Sequence, residues 1–129
     1  MDSKIKFFGV LRLQDNKILY SEGLNPSKTS DYTADFNRLS SVLSTLDLGP
    51  ADYQKIHTSN GTWYCVIDNK RTSFNILAHP NYSVASILRL LKMLQAEIQS
   101  IENYSSDEGK ISDKMGTFAG NLMKVNRFY

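Results

Sequence analysis

The chain has 129 residues, about the length of one domain, and a chain of that size buries roughly two-thirds of its unfolded surface without needing a disulfide or metal staple. Fifteen Lys and Arg against thirteen Asp and Glu leave a net charge of +2, far from the basic stripe of a nucleic-acid binder, and 41% hydrophobic residues are too many for a disordered chain. The single cysteine, Cys65, forms no internal disulfide or Cys-rich zinc site, and the two histidines, His57 and His79, supply no metal cluster, so no cofactor is implied.

The first residues, Met1-Asp2-Ser3-Lys4-Ile5-Lys6, are charged, and the apolar stretch Phe7–Leu11 is too short for a signal-peptide core. No apolar run approaches the roughly 18–20 residues of a membrane-spanning helix. The expected location is the cytosol, with any membrane attachment indirect, through a partner or further sequence. Asn60, Asn81 and Asn103 each open an N-x-S/T triplet, which reads as chance without a secretory signal.

Residues 4–13 alternate. Ile5, Phe7, Gly9, Leu11 and Leu13 form one face, while Phe8 and Val10 make the middle of the other face apolar too. A strand apolar on both faces is an interior strand with helices above and below it. Asp15-Asn16 predicts a tight turn into a short second strand, Lys17–Tyr20. Ser30 is the candidate N-cap of a helix on which Tyr32, Phe36, Leu39, Val42, Leu43 and Leu46 recur at spacings of three and four, and Gly49-Pro50 stops it.

Tyr53–Thr58 is mostly polar, as an edge strand should be. Asn60-Gly61 predicts a hairpin into a two-sided strand, Thr62–Asp68. Asp68–Arg71 turns into a fifth strand, Thr72–Ala78. Ser83 caps the clearest helix, residues 84–102, with Val84, Ile87, Leu88, Leu91, Leu94, Ile98 and Ile101 on one face. Residues 103–110 read as a solvated linker. A last helix starts near Ser112 and buries Met115, Phe118, Ala119, Leu122 and Met123, although Gly116 and Gly120 weaken it. The order is β-β-α-β-β-β-α-α.

That order, together with three segments, resembles the longin domain, the N-terminal module of long synaptobrevin-like vesicle SNAREs (R-SNAREs). The segments are Ile5–Leu13, Trp63–Asp68 followed by Phe74–Ala78, and Tyr82–Leu91. The resemblance covers residues 4–125, so residues 1–129 read as a single longin-like domain. It implies an α/β (α+β), profilin-like fold: a five-stranded, mostly antiparallel sheet in the order 2-1-5-4-3, with the first helix on one face and the last two on the other.

It also implies a regulatory and sorting module rather than an enzyme, acting in vesicle-mediated transport on the cytosolic face of endomembranes and monomeric in isolation. A groove between the first helix and the third strand would take the protein's own SNARE segment or a coat or adaptor subunit. The alternative is a small structural subunit of a coat, adaptor or tethering complex. Longin SNAREs continue into a heptad segment and a membrane anchor, and residues 1–129 contain neither, which leaves the isolated domain and a longin-only protein both open.

The groove candidates are Tyr32, Phe36, Leu39, Leu43 and Leu46 of the first helix with Tyr53 and Ile56 of the third strand; each of them can instead serve the core. Cys65, set mid-strand, reads as a small buried hydrophobe rather than a nucleophile. Asp107, Glu108 and Asp113 fall in a polar setting, without the apolar pocket that separates the pKa values of a catalytic carboxylate pair. Lys70 and Arg71, with Lys4, Lys6 and Arg12, offer either a basic patch toward anionic lipid or merely solvated charge.

Overall fold

The computed structural model describes residues 4–24, 28–45, 53–106 and 108–128. Strand β1 (Ile5–Arg12) pairs with β2 (Lys17–Gly23) on one side and β5 (Thr72–Ala78) on the other, and β4 (Gly61–Ile67) joins β5 to the edge strand β3 (Tyr53–Thr58). The sheet order is β2-β1-β5-β4-β3, with every neighbouring pair antiparallel. Phe8 and Val10 are fully buried on one side of β1, and Phe7 and Leu11 are buried on the other. The expected two-sided interior strand is there. Its register against β2 shifts between Val10 and Leu11, and its register against β5 shifts between Ile5 and Phe7. An extra residue in one strand swaps the faces of everything beyond it. Ile5 therefore joins Phe8 and Val10 rather than Phe7, Gly9 and Leu11.

Helix α1 (Thr29–Ser44) covers the Phe7–Leu11 face, packing Tyr32, Phe36, Leu39 and Leu43 on Trp63, Cys65, Ile67 and Leu77. Gly9 permits this closeness. A Cβ there would clash with the Phe36 ring, which stacks on Trp63 with centroids 5.4 Å apart. The N-cap position belongs to Lys28, with no side-chain cap bond, so Ser30 lies just inside the helix instead of capping it. Leu46 and Gly49-Pro50 lie outside the described residues.

The opposite face carries α2 (Val84–Gln99) and α3 (Glu108–Phe128), whose apolar rows close over Phe8, Val10, Tyr64, Phe74 and Ile76. The Ser83 hydroxyl accepts from the Ser86 N–H, as a cap should. Between the helices, Tyr104–Ser106 forms a 3-10 turn. Tyr104 is buried, contrary to the solvated linker expected there. The cause is Asp68, just after β4. One of its oxygens accepts from the N–H groups of Lys70 and Thr72 at 2.9 Å, and the other accepts from the Tyr104 hydroxyl and the Gln99 amide. A buried carboxylate needs such partners, and Tyr104 turns inward to supply one. Among the described residues no helix is long and apolar enough to cross a membrane.

Candidate protein-binding cleft

A strand points successive side chains to opposite faces, and the pairing of β3 with β4 assigns each of its residues. Gln54 and Ile56 sit opposite Cys65 and Trp63, on the α1 face. Tyr53, Lys55 and His57 sit opposite Val66, Tyr64 and Thr62, on the α2–α3 face. Tyr53 stacks on Tyr64 with centroids 6.5 Å apart, and the Lys55 ammonium lies 5.8 Å from the same ring. Tyr53 is exposed, as a ligand contact must be, but on the wrong side of the sheet for a groove beneath α1. Being three residues from Ile56, it cannot share its face.

The helix candidates meet a different fate. Tyr32, Phe36, Leu39 and Leu43 are at most 4% exposed, because the Phe7, Trp63 and Leu77 surface takes up the whole stripe. They build the wall of the cleft from behind and present no side chain to a ligand. Ile56 is half-buried and packs against this same core. Of the seven candidates, Ile56 alone keeps both the expected face and partial access, Leu46 being outside the described residues.

The row Asp35, Arg38 and Val42, spaced three and four apart, lies on one side of α1, with Arg38 and Val42 exposed and Asp35 buried. Asp35 fixes its direction. The carboxylate accepts from the Trp63 indole N–H at 2.8 Å, from the Thr58 hydroxyl at 2.8 Å and from Arg38 at 3.1 Å. These bonds turn the row toward β4 and β3. Burial alone would push the Asp35 carboxyl up, but the bonds from Trp63, Thr58, Arg38 and Asn60 outweigh it and hold it below the ordinary aspartate range. Val42, one further turn along, is 47% exposed.

Arg38 and Val42 of α1 and Gln54 and Ile56 of β3 therefore flank the same seam on the α1 face, bridged at one end by the bond from Thr58 to Asp35, and this seam is the candidate cleft. The outer edge of β3 has no strand partner among the described residues. Such an edge offers backbone N–H and C=O groups to an extended chain. The groups on this flank are two partly exposed apolar side chains, Val42 and Ile56, an exposed guanidinium at Arg38, and a strand edge without a strand partner among the described residues. Sequence reading placed Val42 on the apolar stripe and passed over Asp35 and Arg38. Neither carries a motif; only the hydrogen bonds show which way their side of the helix faces.

Elsewhere the chemistry is quieter. Cys65 is fully buried, and burial pushes its thiol well above the ordinary value, so it is not poised as a nucleophile. The His57 ring is hydrogen-bonded to the Thr62 hydroxyl, and His79 Nδ1 to the Asn81 N–H. Among the described residues no three His, Cys, Asp or Glu side chains gather as a metal would require. An open depression of about 460 Å³ lies where α2 ends and α3 begins, lined by Ser100, Ile101, Glu102, Lys110, Asp113 and Lys114. It has mixed charge and belongs to the face opposite α1.

The basic residues do not form one patch. Lys70, Arg71 and Arg12 lie at one end of β1, where the Leu13 N–H bonds the Arg71 carbonyl; Lys4 and Lys6 lie at the other, a strand's length away. Arg12 is also paired with Asp15 at 2.7 Å. No protein-family model matches the chain, and a search of curated proteins finds no match.

Proposed function

We propose that this chain is a longin-type regulatory domain of a vesicle-trafficking, R-SNARE-like protein, and that the cleft between α1 and β3 captures a polypeptide segment. The segment is the protein's own SNARE stretch or a stretch of a coat or adaptor subunit. The observation that carries the reading is the pairing of a β3 edge without a strand partner among the described residues with a half-open apolar row, Val42 and Ile56, on the face covered by a single helix. The strand order β2-β1-β5-β4-β3, with one helix on one face and two on the other, supports it, since that is the architecture the resemblance implies. Capture is a population balance: a ligand favours the occupied form only by its differential affinity for it.

The test is an NMR titration of the labelled domain with a synthetic heptad peptide of the R-SNARE type, carrying the central Arg. Shifts concentrated at Arg38, Val42, Gln54, Ile56 and Thr58 support the reading. Saturable shifts confined to α2 and α3, or none at millimolar peptide, overturn it.

A further inference from the structure

Helix α3 is fastened to the domain unusually. At its start, the Tyr104 hydroxyl donates to the buried Asp68, and Glu108 pairs with Lys17 of β2. At its end, the Asn126 side chain makes two bonds of 2.8 Å to the backbone of Ile5, accepting from its N–H and donating to its carbonyl. Between these clasps the docked row is Ile111, Met115, Phe118, Ala119 and Leu122, with Phe118 edge-on to Phe8 at 5.2 Å.

The opposite side of the middle turns carries Gly116 and Gly120, both exposed. A Cβ built at either meets nothing within 4 Å. No close approach calls for glycine at these two positions, and each lowers the intrinsic preference for helix. The segment is polar-clasped at both ends and weak in the middle, so it is helical because it is docked.

We propose that α3 is a strap that leaves the sheet as one cooperative unit, opening at lower free energy than the sheet itself and uncovering the Phe8 side of β1 and β2. Local opening of contiguous units is general in proteins; here the glycines and the two clasps determine which unit opens. The inference does not depend on the α1–β3 cleft, which lies on the other face and stays intact when α3 leaves.

Native-state hydrogen exchange on the whole chain tests it. In the unmodified protein, amides across residues 110–124 should share one opening equilibrium, at least tenfold more populated than that of β1, β4 and β5. Tyr104→Phe and Asn126→Ala, at opposite ends, should each speed exchange across the entire helix by a common factor, roughly tenfold or more for the loss of a hydrogen bond to the Asp68 carboxylate. Gly116→Ala with Gly120→Ala should slow it about twenty-five-fold, the product of near fivefold per position. The proposal is overturned if α3 amides exchange only with the sheet, or if each clasp variant quickens only its own end, as independent fraying would. The unmodified protein decides the first point even if a clasp variant fails to fold.

Discussion

Asp35 is the residue on which the geometry of the cleft turns, and its removal is predictable in size. In Asp35→Ala, the Trp63 indole N–H is stranded in a site with no solvent access, which costs about 1–3 kcal/mol. Thr58 suffers less, since its hydroxyl also lies 3.3 Å from the Gly61 carbonyl and can turn to it. The Arg38 contact adds little, because that side chain is 73% exposed. The expected loss is about 2–4 kcal/mol in urea unfolding, with little change in m-value.

The same carboxylate sets a pH signature. Its folded pKa lies below its unfolded one, so its stabilisation is complete above the unfolded value and drains away as pH falls through the folded value. The stability gap between the unmodified protein and Asp35→Asn should therefore be full at pH 7, begin to narrow near pH ~4, and keep narrowing below that. A double-mutant cycle with Trp63→Phe should return a coupling of about 1 kcal/mol or more. Simple additivity of the two changes, or a gap that widens in acid, would refute the assignment of Asp35 as the tie between α1 and the β3–β4 hairpin.

Two further outcomes follow from the packing. Gly9→Ala drives a methyl group into a Phe36 ring already held by Phe7 and Trp63, and should lower thermal stability by about 1–3 kcal/mol, as overpacked cores do; a stabilised variant would show that α1 rides higher than described. Cys65 should react with a thiol reagent only at the rate of unfolding, because burial both shields the sulfur and disfavours its thiolate. Rapid labelling of the folded protein at pH 8 would contradict that burial.

Much of the architecture was legible in the residues. The two-sided apolar pattern of Phe7–Leu11 requires helices on both faces, and the sheet has them. Asn16, in the predicted Asp15-Asn16 turn, and Gly61, in the predicted hairpin, both take positive φ. What misled was finer. Period-two counting through Ile5 fails because the register slips by one residue there, and no local composition signals that slip. Tyr53 and Ile56 looked like companions because both are apolar, although their odd spacing already divides them between faces.

The stripe Tyr32-Phe36-Leu39-Leu43 was correctly seen as apolar, but periodicity alone does not say how much of a stripe the sheet uses. The polar hubs were least visible. Asp35 reads as a charged helix residue and Asp68 as a turn residue; both are buried because partners distant in sequence, Trp63 for one and Tyr104 for the other, converge on them. Tyr104 therefore belongs to the core although its neighbours, Asn103 and Ser106, are exposed.

Two charge insertions on β3, one on each face, test the central claim most directly. Ile56→Glu places a carboxylate inside the cleft beneath α1, and Tyr53→Glu places one on the opposite face of the same strand. With the heptad peptide followed by fluorescence anisotropy, and circular dichroism showing both variants folded, affinity should fall at least tenfold for Ile56→Glu and less than twofold for Tyr53→Glu. Equal affinities, or the reverse order, would contradict a ligand seated between α1 and β3.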